Sequence, residues 1–241
     1  MVTQSVLRSL EVFEQVAAMQ PARLAELAGA SDLPKSTIQR NLLTLAEAGW
    51  LRPADDESTA RWQVSPRLQQ LLASSAIAPD LRGAATPVME ELSGHTGLSV
   101  QLAVPSTRRQ IVSIATITVP GGAQVSTIGS ALPMIETSAG IAMLARSADF
   151  VIAEIVEASN GDLAETMGAI TAAREQGYSL RPHDAGAVTY LSAAIVDPTG
   201  GTAGALTLGV RPADGEPAAY GTGLVEAASR VSSVLVRLQG G

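Results

Sequence analysis

Residues 34–49, PKSTIQRNLLTLAEAG, constrain the fold more than any other stretch, because they enclose a helical period between a proline and a glycine. Proline is tolerated in a first helical turn, where its missing N–H would be unpaired anyway, and glycine suits the left-handed residue just past a helix end. At about 100° per residue, Ile38, Leu42 and Leu45 form one stripe, expected to be buried. Ser36, Arg40, Leu43, Thr44 and Glu47 lie opposite, with Thr37 and Gln39 flanking them.

The neighbouring segments say what this helix belongs to. Val6, Leu7, Leu10, Phe13, Val16 and Ala17 recur with helical period up to Pro21, which is expected to open a second, shorter helix ending near Gly29. After the third helix, WLRPADDESTARWQV reads as two strands around Leu51 and Trp62 flanking a polar loop from Pro53 to Ala60. Three helices and a hairpin make a winged helix-turn-helix over residues 1–64. In that motif the N-terminal turns of the third helix meet base edges of double-stranded DNA. Arg40 suits guanine N7 and O6 and Gln39 suits adenine, while Lys35, Ser36 and Thr37 suit phosphate oxygens. Thr44 shares that face, and Arg52 and Arg61 sit at the base of the hairpin. Glu47 repels phosphate, so only the first two turns should enter the groove. Leu43 is expected to pack against the wing.

A formal net charge of -7 opposes contact with a polyanion, but the charge is unevenly placed. Residues 1–75 carry seven Lys/Arg against eight Asp/Glu, whereas residues 76–241 carry nine against fifteen. The acidity therefore predicts weak non-specific affinity, not an absence of DNA binding. With no cysteine, the chain has no disulfide, thiolate zinc site or cysteine nucleophile. Arg8, Glu11 and Glu14 interrupt any signal-peptide core. The longest uncharged run, 110–135, is broken at Pro120-Gly121-Gly122 and reads as strands and a loop, not a membrane span. A cytoplasmic protein without a membrane partner is expected.

Residues 65–78 read as a linker helix into a second domain, 79–241. SVQLAVPS and RQIVSIATITV look like a strand pair turning at Arg108-Arg109. LPMIETSAGIAMLAR, DFVIAEIVEAS and DLAETMGAITAAREQG look helical, AVTYLSAAIVD and GALTLGV look like strands joined by PTGG, and a last helix runs from about Pro217 to Leu238. Antiparallel strands interleaved with helices imply an α+β domain. Catalysis has little to stand on: no metalloprotease, P-loop or nucleophile-elbow motif is present, and His95 reads as a helix-end residue. GTGLVE, 221–226, lacks the third glycine of a dinucleotide site and reads as a helix start. His183 beside Asp184 is the remaining acid–base candidate, with no assignable nucleophile. Two histidines and dispersed carboxylates make a metal site unexpected, and no cofactor is expected.

In order, SVLRSLEVFEQV, ARLAELAGASDLPKSTIQRNLLTLAEAGWL, RWQVSPRLQQL, EELSGHTGLSVQLAV, IGSALPMIETSAGIAMLA, REQGYSL and GAVTYLSAAIVD resemble segments of the IclR family of bacterial transcription regulators. The resemblance implies a dimerising winged helix, a linker helix and a C-terminal effector domain with a GAF-like antiparallel sheet and flanking helices. It also implies a dimer or tetramer, a palindromic operator, and a small organic acid, often aromatic, as effector. The family's pocket positions fall on Ser138, Ala139, Tyr190, Thr207 and Gly209. The chain departs from the family at Gly140-Ile141, where Gly-Lys is common, at RPHD, where an acidic run is usual, and at Tyr190, where smaller residues occur. Chemically, Tyr190 offers a ring and a hydroxyl, Ser138 and Thr207 offer short polar groups, and Arg181 is expected to hold a carboxylate bidentately. The alternative is a DNA-binding oligomer with no small-molecule input; a small-molecule enzyme using His183 and Asp184 is the remote one.

Overall fold

The computed structural model describes residues 3–54, 61–68 and 79–239. The chain divides into two compact units, Met1–Ile77 and Ala78–Gly241. Most of the expected hairpin loop, from residue 55 to 60, and the expected linker helix beyond Leu68 lie outside the described residues.

In the first unit, α1 (Gln4–Met19), α2 (Leu24–Gly29) and α3 (Lys35–Glu47) surround a core of Val12, Val16, Leu27, Ile38, Leu42 and Leu45. The predicted α3 stripe is therefore buried, with Asn41 added to it; the Ser9 hydroxyl donates to the Asn41 side-chain oxygen at 3.1 Å and ties α1 to α3. Helix α3 ends in a paired motif that satisfies two of its last carbonyls. Gly49 N–H bonds Ala46 O at 2.9 Å and Trp50 N–H bonds Leu45 O at 2.8 Å, with Gly49 at φ +78°.

Pro21 departs from expectation. It does not open a helix but precedes a short strand, β1 (Ala22–Arg23), which pairs antiparallel with β3 (Arg61–Val64). Strand β2 (Leu51–Pro53) pairs with the other side of β3, so the wing is a three-stranded sheet in the order β1-β3-β2. Gln20 reinforces it, its side-chain oxygen accepting from Val64 N–H at 2.8 Å.

The second unit is built on a six-stranded sheet in the order β6-β5-β4-β9-β8-β7, every neighbouring pair antiparallel. Its strands are β4 (Val100–Pro105), β5 (Gln110–Ile117), β6 (Ala131–Pro133), β7 (Ser179–His183), β8 (Val188–Val196) and β9 (Thr202–Val210). One face packs Val100, Leu102, Leu191, Ile195, Leu206 and Leu208 against α4 (Pro79–Thr96) and α8 (Gly221–Gln239). On the other face lie α5 (Ser138–Leu144), α6 (Asp149–Ala158) and α7 (Leu163–Gln176). Strand side chains alternate between faces, so the second face of β4, β9 and β8 carries Gln101, Ala103, Ala205, Thr207, Tyr190 and Ser192. These are smaller or polar groups, and they leave room beneath the helices.

Two local readings change. LPMIETSAGIAMLAR is not one helix: Ala131–Pro133 is an edge strand and the helix begins only at Ser138. Thr137 sets that start, accepting from Gly140 N–H at 3.1 Å while its hydroxyl donates to Pro133 O at 3.1 Å. Residues 179–183, to which the sequence assigns no element, form edge strand β7. Pro182 there leaves no central ladder bond unmade, because β7 has a neighbour on one side only.

Candidate functional site

Two surfaces carry the chemistry, one in each unit. On α3, Lys35, Ser36, Gln39, Arg40 and Thr44 are exposed and Thr37 is half-buried. Among the described residues none of Lys35, Arg40, Arg52 and Arg61 forms an ion pair. Thr44 is committed to its own helix, its hydroxyl donating to Arg40 O at 2.9 Å, which leaves its oxygen as an acceptor toward solvent. Leu43, expected to pack against the wing, is 55% exposed.

The wing adds residues that the sequence reading passes over. Opposite residues on paired strands share a face, so the Arg23–Arg61 and Arg52–Gln63 pairs lie together on the side of the sheet away from Ala22, Leu51 and Trp62. The Arg52 guanidinium donates to the Gln63 amide oxygen at 3.1 Å once that amide is turned to receive it. Arg23 and Arg61 stand directly opposite each other, a like-charge pair that destabilises a bare sheet and that a bound anion relieves. Arg23 was hidden because β1 exists only through pairing with a strand some forty residues away. Arg67 was also missed. It donates to Ala48 O at 2.5 Å at the α3 C-terminus and lies 5.5 Å from the centre of the Trp50 ring, itself edge-on to Phe13. A cation suits both the negative end of a helix and an aromatic face, so Arg67 fixes the C-terminal end of α3.

In the second unit a cavity of about 190 Å³ opens between the sheet and α5. Of the residues expected there, Ser138, Ala139, Arg181, Tyr190 and Thr207 line it. Gly209 does not: it is the β9 partner of Tyr190, and a Cβ there would come within 2.8 Å of Ala123 and 3.3 Å of the Tyr190 ring. Its bareness seats the ring. Gln101, Glu136, Thr137 and His183 line the cavity unanticipated.

Several of these polar groups are already engaged. The Ser138 hydroxyl pairs with that of Ser179 at 2.8 Å, and Thr207 with Ser192 at 2.8 Å. Tyr190 donates to Gln124 O at 2.7 Å, and burial pushes its phenol above the usual tyrosine pKa, so it remains a neutral donor near neutrality. Arg181 is also partly engaged. One terminal nitrogen meets Glu165 at 3.2 Å and the other donates to Ile135 O at 3.1 Å. Its buried Nε has no partner among the described residues, and each terminal nitrogen keeps a second N–H beyond the bond it makes. His183 is exposed, its ring 5.7 Å from that of Tyr190. It leads into Asp184, Ala185 and Gly186, all left-handed at φ +49°, +50° and +88°, a conformation that costs a non-glycine residue of order 1 kcal/mol or more.

Two family models match the chain: the IclR helix-turn-helix domain over residues 5–55, and the bacterial transcriptional regulator IclR C-terminal domain over residues 74–213. The chain belongs to the IclR family. This IclR protein is accordingly a transcription regulator, with a DNA-binding helix-turn-helix and a C-terminal ligand-binding domain. The family is one of transcription regulators, which are not enzymes. No curated protein matches the chain. Among solved structures it is similar to an IclR homolog from Microbacterium hydrocarbonoxydans complexed with 4-hydroxybenzoate, at 20% identity and a TM-score of 0.79, over 96% of this chain and 99% of that one. An IclR transcriptional regulator from Alicyclobacillus acidocaldarius gives 20% identity and 0.74 over 98% and 100%. The Thermotoga maritima IclR gives 15% and 0.66 over 96% and 98%. At these identities the likeness is one of fold. Among the described residues no helix is long and apolar enough to cross a membrane.

Proposed function

We propose that this protein is a cytoplasmic, homo-oligomeric regulator whose affinity for a palindromic operator is set by a small organic acid bound in the C-terminal cavity. Arg181 carries the reading: it lines the cavity, and its Nε is buried and unpartnered among the described residues. A buried donor without a partner is costly, and a carboxylate oxygen supplies the missing acceptor with charge assistance. The M. hydrocarbonoxydans homolog was crystallised with such an acid. The cavity favours this reading over a DNA-binding oligomer without ligand input. Two copies of α3 read half-sites about one helical turn, or a multiple of it, apart. Lys35, Ser36 and Thr37 hold phosphates, Gln39 and Arg40 read bases, Thr44 borders them, and Arg23, Arg52 and Arg61 lie along the backbone.

Fluorescence anisotropy of the protein on its own upstream DNA against a scrambled duplex, with and without a pool of organic acids including 4-hydroxybenzoate, tests the reading. Preference for the upstream DNA that the pool alters is expected; a ligand does this only by favouring one of two conformations. Loss of both the preference and the ligand effect would sink it. Arg181→Ala should weaken binding of the active acid about tenfold, and unchanged affinity in titration calorimetry would remove Arg181 from the site. Arg23→Ala should weaken binding to all duplexes alike and lower the salt dependence by about one released ion. A loss confined to one sequence would make Arg23 a base reader instead.

A further inference from the structure

A polar row crosses the sheet face on which the cavity lies, and Gln101 and Thr207 of it line the cavity. Thr116, Gln101, Thr207, Ser192 and Ser179 are successive cross-strand partners over β5, β4, β9, β8 and β7. Opposite residues share a face, so all five point to the side on which the cavity lies. Gln101, Thr207, Ser192 and Ser179 are each at least 95% buried. The hydroxyls satisfy one another: Thr207 pairs with Ser192, and Ser179 pairs with Ser138 of α5. Gln101 is the exception. Its side-chain Nε2 is buried with no hydrogen-bond partner among the described residues, and the residue lines the cavity.

A sheet position flanked by Val100 and Leu102 in the opposite core gives no packing reason for an amide. Leucine would fill similar space without an orphaned donor. We infer that Gln101 is the specificity-determining residue of this cavity, its amide hydrogen-bonding an effector hydroxyl that is separate from the acid group. The inference rests on the acid-effector reading above. Arg181 stands on β7, three strand spacings or about 14 Å of backbone away from β4, and is tethered to Ile135 and Glu165. The acid group at Arg181 therefore lies apart from the oxygen at Gln101, and the effector carries polar groups at two separated positions. A hydroxyl both donates and accepts, so it satisfies the amide in either of its orientations. Thr207, the β9 neighbour of Gln101 on the cavity floor, offers the same ligand atom a second hydrogen-bonding group.

Titration calorimetry of the full chain with 4-hydroxybenzoate and with benzoate, on the natural protein and on Gln101→Leu, tests this. The natural protein should prefer the hydroxy acid by about tenfold or more, since benzoate leaves the amide unpaired. In Gln101→Leu the preference should fall to near unity, with benzoate still bound. Equal affinities in the natural protein, or an undiminished preference in the variant, leave the acid reading standing and overturn the role of Gln101. No binding of either acid overturns both. A ligand-free melting curve gives an independent check: removing an unpaired buried donor should leave the Gln101→Leu midpoint unchanged or raise it by about 2–4 °C. A fall of several degrees would mean that the amide is structural and would overturn the proposal.

Discussion

Gly140→Ala should destabilise the C-terminal unit by about 3 kcal/mol or more, at the upper end of what overpacking usually costs. A Cβ at this position would overlap the Met134 carbonyl oxygen outright, and it would lie 2.6 Å from the Met134 carbonyl carbon and 2.8 Å from its Cα. All three are backbone atoms, so no rotamer change relieves the clash. The approach is this close because the chain turns back between β6 and α5, with Thr137 pinned at both ends of the turn. That turn carries Ser138 and Ala139 to the cavity wall, so the variant should lose ligand binding together with stability. Thermal or urea unfolding followed by a ligand titration checks both. A midpoint and affinity equal to those of the natural protein would show that the turn can open without penalty.

Arg40→Ala should weaken specific DNA binding by about 1–3 kcal/mol and relax the preference at one base pair of each half-site. Arg40 is exposed on the first two turns of α3 and has no ion-pair partner among the described residues, so its guanidinium meets a base edge without first breaking a salt bridge. Binding measured against a set of single-base operator variants checks it. Equal loss on every sequence would make Arg40 a phosphate contact.

Legibility followed the range of the interactions. The α3 stripe and the stop at Gly49 were readable because a helical period and a left-handed glycine are set within a few residues. Pro21 misled because β1 is defined by pairing with β3, which local propensity does not encode. The Ala131–Leu144 run misled because an apolar stretch suits strand and helix alike; Thr137, a side-chain cap, was the available cue. In the cavity, Ser138, Ala139, Tyr190 and Thr207 were reached through family resemblance and Arg181 through its chemistry. Gln101 was within reach in principle, since alternation in SVQLAVP sets it apart from Val100 and Leu102. What the sequence does not state is the register that sets it beside Thr207. The same limit hid Gly209, whose role is to lie beneath Tyr190.

The alternation along β4, β8 and β9 separates two kinds of heritable change. Substitutions among Leu102, Leu191, Leu206 and Leu208 should act on folding, whereas those at the cavity-lining Gln101, Tyr190 and Thr207 should act on what the cavity accepts. Because the two sets occupy opposite faces of the same strands, a lineage can exchange one ligand for another without rebuilding its scaffold. A biosensor library randomised at those three inward positions would explore new chemical inputs while keeping the apolar face against α4 and α8 intact.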